Sequence, residues 1–187
     1  MSQILRTSSA NGQSPVQYCY SDTPLGSVLL RARNGVLVGL DFTGHRLSPD
    51  PMGSWILDEV PFERVRSQLE GYFAGVLSDF DLELSLMGSP FELQVWNALR
   101  DIPYRATISY SQIALRIGRP KAARAVGAAI GRNPIAIVVP CHRVIGANRE
   151  LTGYAWGLER KAWLLDHEQS HLVRHHQGKQ QIEARQR

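Results

Sequence analysis

An unbroken apolar run, Ile135-Ala136-Ile137-Val138-Val139, ends in Pro140 and delivers Cys141 with His142 directly behind it. The run is too short to span a membrane and too rich in β-branched side chains to favour a helix. It therefore predicts a buried strand whose end presents Cys141 at the mouth of a packed core. The nucleophilic form of cysteine is the thiolate, and a thiol on apolar walls needs a neighbouring base to ionise near neutral pH. His142 is the nearest candidate. Adjacent side chains on a regular strand point to opposite faces, so His142 serves Cys141 only where the backbone turns after Pro140 or a water bridges the pair. The competing reading is a buried structural cysteine, the commonest fate of that residue type.

With 187 residues the chain holds one medium domain or two small ones, and 43% hydrophobic with 20% charged residues excludes wholesale disorder. No stretch has the apolar length of a membrane helix, and Met1 to Pro15 is polar apart from Ile4-Leu5, so a cytoplasmic location away from membranes is expected. Cys19 and Cys141 are the only cysteines, and in a reducing compartment both are expected as free thiols, Cys19 with a structural role in a strand. No metal site is expected, since His175-His176 lies in a polar tail that reads as solvated. The net charge of +4 suits a polyanionic partner such as nucleic acid, although part of the excess sits in that tail.

From Val16 to Phe42 the pattern predicts strands broken by turns at Thr23-Pro24-Leu25-Gly26 and Arg33-Asn34-Gly35, the second with the Asn-Gly signature of a tight hairpin. Phe62, Val65, Leu69 and Phe73 then recur at helical spacing up to Gly75, and a further strand is expected around Phe80 to Leu86. Met87-Gly88-Ser89-Pro90 reads as a linker. Ser89 is the expected N-cap of a helix through Phe91, Val95, Trp96 and Leu99 that Pro103 stops. The fold class is α+β: a flexible N-terminus (1–15), a small antiparallel-sheet N-terminal domain (16–88), a mainly helical C-terminal domain (89–168) and a disordered tail (169–187).

Within the helical part, Ser109-Tyr110-Ser111-Gln112 fits a capping box, in which Ser109 and Gln112 satisfy each other's exposed backbone donors. A helix is expected from Tyr110, with Gly118 capping its end and Pro120 opening the next, which is helix-turn-helix spacing. On the second helix Ala123, Val126 and Ile130 fall on one side, and Lys121, Arg124, Ala125 and Ala128 on the other. A major-groove reader needs long hydrogen-bonding side chains, whereas alanines allow close approach to the sugar-phosphate backbone without reading sequence. This face predicts non-specific DNA binding, with Arg124 able to enter the duplex. Ala-rich helices also pack inside proteins, and a helix-turn-helix alone would equally suit a transcription factor, which leaves Cys141 without a task.

Together, Ser109-Tyr110, Lys121-Ala122-Ala123-Arg124-Ala125-Val126-Gly127, Asn133-Pro134 and Pro140-Cys141-His142-Arg143-Val144 closely resemble the O6-alkylguanine-DNA alkyltransferase family, most strongly from Phe91 to Glu168. The resemblance implies irreversible, stoichiometric transfer of an alkyl group, mainly methyl, to Cys141 from O6 of guanine, with O4 of thymine as a second source. It implies a monomer that needs no cofactor, metal or protein partner and acts on double-stranded DNA containing O6-alkylguanine. The helix-turn-helix would sit in the minor groove while the damaged nucleotide swings out, with Arg124 filling the vacated stack; extrusion costs on the order of a few kcal/mol.

By the same resemblance His142 would accept the thiol proton through water, Glu168 would steady the imidazolium, and Tyr110 would donate to the departing guanine. Asn133 would tie the helix-turn-helix to the active-site segment, and Tyr154, Ala155, Trp156, Lys161 and Val144 would line the substrate pocket. Spacing adds support, because Lys161, Leu165 and Glu168 share a face of the helix after Gly157; solvent exposure of Glu168 is the alternative. Trp156 stands where many relatives have glycine, which predicts a narrower pocket that disfavours O6-benzyl groups and that Trp156→Gly would relax. Two rivals belong to other classes: a module that binds alkylated DNA without accepting the group, and a Cys-His hydrolase, which would need an oxyanion site and turnover.

Overall fold

The computed structural model describes residues 14–45 and 47–171. The flexible N-terminus and the disordered tail expected from sequence lie, for 1–13 and 172–187, outside that range. Residues 169 and 170, assigned above to the tail, instead finish the last helix.

Strands β1 (Gln17–Thr23), β2 (Gly26–Arg33) and β3 (Val36–Phe42) form the expected antiparallel meander. Asn34 and Gly35 both adopt positive φ, 52° and 79°, the conformation that a two-residue hairpin matching the strand twist demands. Strand β4 (Ile56–Leu57) adds in parallel beside β1, giving the order β3-β2-β1-β4. Helix α1 (Glu63–Phe73) packs on β1 and buries Val65, Leu69 and Tyr72; Gly75, with φ of 70°, turns the chain away after it.

The strand expected at Phe80 to Leu86 does not form. Its alternation is real, with Phe80, Leu82, Leu84 and Leu86 half-buried, but it meets β3 at a single bridge, Leu37 to Leu84. Two backbone hydrogen bonds hold that point, Leu37 N–H to the Glu83 carbonyl and Ser85 N–H to the Leu37 carbonyl, and no ladder extends from it.

Helix α2 (Pro90–Arg100) starts at Ser89, which forms a capping box with Glu92. The short strand β5 (Ile108–Ser109) pairs in parallel with β6 (Val144–Ile145) and leads into α3 (Tyr110–Arg116), whose capping box joins Ser109 and Gln112. Gly118, with φ of 70°, makes the turn. Helix α4 (Ala123–Ile130) begins later than Pro120 suggests, because Ala122 N–H bonds the Arg119 carbonyl and so places Pro120 inside a turn. Helix α5 (Leu158–Ser170) closes the described chain. None of the described helices is long and apolar enough to cross a membrane.

The run Ile135–Val139 is buried as expected, yet it is not a strand. Only Ile135 bridges to a neighbour, Leu40 of β3; the chain then coils tightly, with Val139 N–H on the Ile135 carbonyl and Ile137 at a φ of 68°. The Asn133 side chain accounts for the difference. Its Oδ1 accepts from Ile135 N–H and its Nδ2 donates to the Val139 carbonyl, filling groups that a neighbouring strand would otherwise take. One apolar core runs through both halves of the chain, from Leu30 and Leu40 of the sheet to Val126 and Ile137.

Candidate active site

The coil from Ile135 hands Cys141 to a single 3-10 turn, Cys141–Arg143, opened by Pro140. This is the backbone turn that adjacency on a strand would have denied, and it buries His142 and Arg143 behind the cysteine. Cys141 is 4% exposed and borders a cavity of about 590 Å³, within the range of small-molecule sites. Tyr110, Arg124, Gly127, Tyr154 and Ala155 are among its lining residues. Arg124 stands at the cavity on α4 while Lys121, Ala125 and Ala128 are exposed with it, so the basic small-residue face borders the opening.

Burial pushes the Cys141 thiol above its ordinary value; the Asn133 amide, whose Nδ2 is 3.1 Å from Sγ, and the Lys161 charge pull the other way. His142 is fully buried with Nε2 2.8 Å from Glu168 Oε1. Burial draws its pKa down, against the opposing pull of Glu168. His142 Nδ1 is buried without a hydrogen-bond partner among the described residues, as is the Tyr154 hydroxyl.

Glu168 lies in the last turn of α5, where the helix dipole disfavours a carboxylate, yet it is buried and crowded by donors. Arg143 grips it through Nε and Nη2, at 3.0 and 2.9 Å, and sends Nη1 to the Ile102 carbonyl. The Tyr72 hydroxyl donates to Oε1 at 2.9 Å and Arg105 N–H to Oε2 at 3.0 Å. Burial alone would raise its pKa; the bonds and charges of His142 and Arg143 outweigh that and hold it below the ordinary carboxylate value. The buried side of α5 carries Leu164 rather than Leu165 between Lys161 and Glu168.

Tyr110, at the start of α3, lines the cavity but donates its hydroxyl to the Thr152 carbonyl at 2.9 Å. Three residues expected on the wall lie behind it. Lys161 is buried with Nζ on the Val144, Thr152 and Gly153 carbonyls, and burial lowers its pKa to about 8. Val144 is buried in β6 and meets that ammonium through its carbonyl. Trp156 turns away from the cavity to pack on Phe42 and His45, at ring distances of 6.0 and 5.5 Å, because the end of the sheet offers its indole an apolar bed. The narrowing of the pocket that Trp156 suggested is therefore corrected. Sequence reasoning also passed over Arg143 and Tyr72 as partners of Glu168; Arg143 stood inside the Pro-Cys-His-Arg motif, while Tyr72 carried no signal beyond the core spacing of α1.

Fold and site together define a two-part α+β protein in which a cysteine borders a cavity beside a helix-turn-helix and is followed by a histidine paired with a buried glutamate. The DNA binding domain profile of the 6-O-methylguanine DNA methyltransferases matches residues 90–170, and their ribonuclease-like domain profile matches residues 16–86. A methylated-DNA--protein-cysteine methyltransferase of Mycolicibacterium paratuberculosis is 50% identical over 156 residues, covering 83% of this chain and 94% of the relative. One from Methanosarcina acetivorans is 49% identical over 79% of this chain and 95% of its own length. The crystal structure of Mycobacterium tuberculosis OGT in complex with DNA superposes with a TM-score of 0.79 at 46% identity, covering 84% of this chain and 95% of that one. The chain belongs to the 6-O-methylguanine DNA methyltransferase family.

Proposed function

We propose that this methyltransferase moves an alkyl group, mainly methyl, from O6 of guanine in duplex DNA onto Cys141 and keeps it there, with O4 of thymine as a second source. The observation that carries the reading is the Cys141 thiol on a cavity of about 590 Å³ with the His142–Glu168 pair buried behind it. His142 takes the Sγ proton through a water at Nδ1, which has no partner among the described residues, and Glu168 holds the imidazolium through Nε2. The sulfur then attacks the methyl carbon: the S–C bond forms, the C–O6 bond breaks, and the electron pair leaves with guanine. Tyr110, whose O–H turns from the Thr152 carbonyl, donates a hydrogen bond to that departing base, which takes up one proton from solvent as the imidazolium gives one back. Because the product is a thioether, each molecule acts once.

The exposed face of Lys121, Arg124, Ala125 and Ala128 supports binding along a DNA backbone, and the similar OGT structure is itself a complex with DNA. A thiol this deeply seated cannot reach a base inside the stack, so the nucleotide flips into the cavity and Arg124, which borders it, fills the gap. Residues 16–88 form a supporting domain and 89–168 the DNA-binding and catalytic one, acting as a cytoplasmic monomer without cofactor or metal. Tyr154 and Ala155 shape the pocket, and Asn133 is the hinge between helix-turn-helix and Cys141. Titration with duplex carrying radiolabelled O6-methylguanine tests this. Uptake that stops at one methyl per chain is expected; continued turnover would indicate a hydrolase, and binding without uptake a recognition module.

A further inference from the structure

We propose that Tyr72, on α1 of the N-terminal sheet domain, is a positioning residue of the active site: acting through Glu168, its hydroxyl sets how tightly the Cys141–His142 pair holds its proton. The inference rests on the reading of His142 and Glu168 given above.

Tyr72 is fully buried, and its O–H donates at 2.9 Å to Glu168 Oε1, the same oxygen that faces His142 Nε2 at 2.8 Å. Electron density that the phenol draws from this oxygen is lost to the imidazole. The second oxygen offers no relief, since Oε2 already accepts from Arg143 Nε and Arg105 N–H, both at 3.0 Å. A packing role accounts for the Tyr72 ring but not for its hydroxyl. A phenylalanine would sit equally well among Phe73, Phe80 and His167, whose rings lie 5.3, 5.4 and 5.3 Å away. A hydroxyl buried on a charged acceptor exchanges a strong hydration shell for one bond, so its place behind the base needs a reason beyond filling space.

The charged and titratable groups around this point come from four elements. Helix α1 gives Tyr72; the 3-10 turn gives Cys141, His142 and Arg143. The segment before β5 gives Tyr104, under the Arg143 guanidinium at 5.7 Å, and Arg105. Helix α5 gives Lys161, Glu168 and His167, whose Nε2 meets the Tyr72 carbonyl at 2.8 Å. Glu168 is the only carboxylate in this set, so its charge density dominates what His142 feels. Burial and the neighbouring carboxylate keep the Tyr72 phenol protonated far above its ordinary range, so it stays a donor wherever the protein is folded.

Without the phenol's bond, Oε1 is more negative toward His142, and the Cys141–His142 pair releases its proton at higher pH; the shift belongs to the pair rather than to either residue. The test is the single-turnover rate of methyl transfer against pH for four proteins: wild type, Tyr72→Phe, a protein carrying 3-fluorotyrosine at position 72, and Glu168→Gln. In Tyr72→Phe the acid limb is expected to move up by about 0.5 pH unit, a rate about threefold lower on the limb, with DNA affinity unchanged. Fluorotyrosine, a stronger donor that keeps the ring and the bond, is expected to move the limb down, and it answers even where Tyr72→Phe fails to fold. Limbs that coincide in wild type and both Tyr72 variants overturn the inference. A limb that stays in place in Glu168→Gln instead overturns the reading of the His142–Glu168 pair on which it rests.

Discussion

Replacing Glu168 by glutamine should destabilise the fold by about 3–5 kcal/mol at neutral pH, the range for removing one partner of a buried ion pair. The carboxylate is fully buried, and four groups converge on it: Arg143, His142, Tyr72 and the Arg105 amide. Glutamine keeps one acceptor oxygen, but its amide nitrogen would face donors, and the buried Arg143 guanidinium would lose its counter-charge. A loss of that size is a large share of the roughly 5–15 kcal/mol that holds a domain together. Urea unfolding followed by tryptophan fluorescence measures it. The folded pKa of Glu168 lies below its unfolded value, so its contribution is present above the unfolded value and fades as pH falls through the folded one. The gap between wild type and Glu168→Gln should therefore narrow in acid. A second arm, Glu168→Leu with Arg143→Met, should recover part of the loss by removing both charges. A gap within about 1 kcal/mol at neutral pH, or one that widens in acid, would refute the assignment of Glu168 as the ionised centre of this network.

Asn133→Ala removes the bonds to Ile135 N–H, the Val139 carbonyl and Cys141 Sγ, and should cost about 1–3 kcal/mol of thermal stability while slowing transfer; a melting curve and a single-turnover rate check both. Trp156→Gly strips an indole from Phe42 and His45, so calorimetry should show a loss of about 3–5 kcal/mol while the ratio of O6-methyl to O6-benzyl rates stays unchanged. Arg124→Ala should slow repair in duplex far more than reaction with free alkylated base, whereas Cys141→Ser should abolish both reactions and spare DNA affinity in a gel-shift assay.

Local chemistry was legible where one residue type does one job. Asn34-Gly35 marked its hairpin, Ser109 with Gln112 marked the start of α3, and the spacing of Phe62, Val65 and Leu69 marked α1. The run before Cys141 misled because burial and β-branching describe an environment, and the conformation was decided by Asn133 capturing the very backbone groups that would have built a ladder. Likewise the alternation from Phe80 to Leu86 was true, but a strand needs a partner along its length and β3 meets it at one point. In the site, His142 and Glu168 meet at 2.8 Å, two positions that the family resemblance had indicated together. Tyr72 could not be found that way, since its hydroxyl meets Glu168 from 96 residues away in the chain and only the packing of α1 brings it there. Trp156 erred in the opposite direction: its neighbours Tyr154 and Ala155 line the cavity, while the turn closed by Gly157 N–H on the Tyr154 carbonyl places the indole on the sheet.

Peptide mapping by mass spectrometry, after one exposure to duplex DNA containing O6-methylguanine, addresses the transfer itself. A single methyl retained on the Cys141 peptide, absent from the Cys19 peptide and absent after treatment with unmodified duplex, is the expected result. An unmodified Cys141 peptide from protein that has removed the lesion, or a methyl found on another residue, would contradict it.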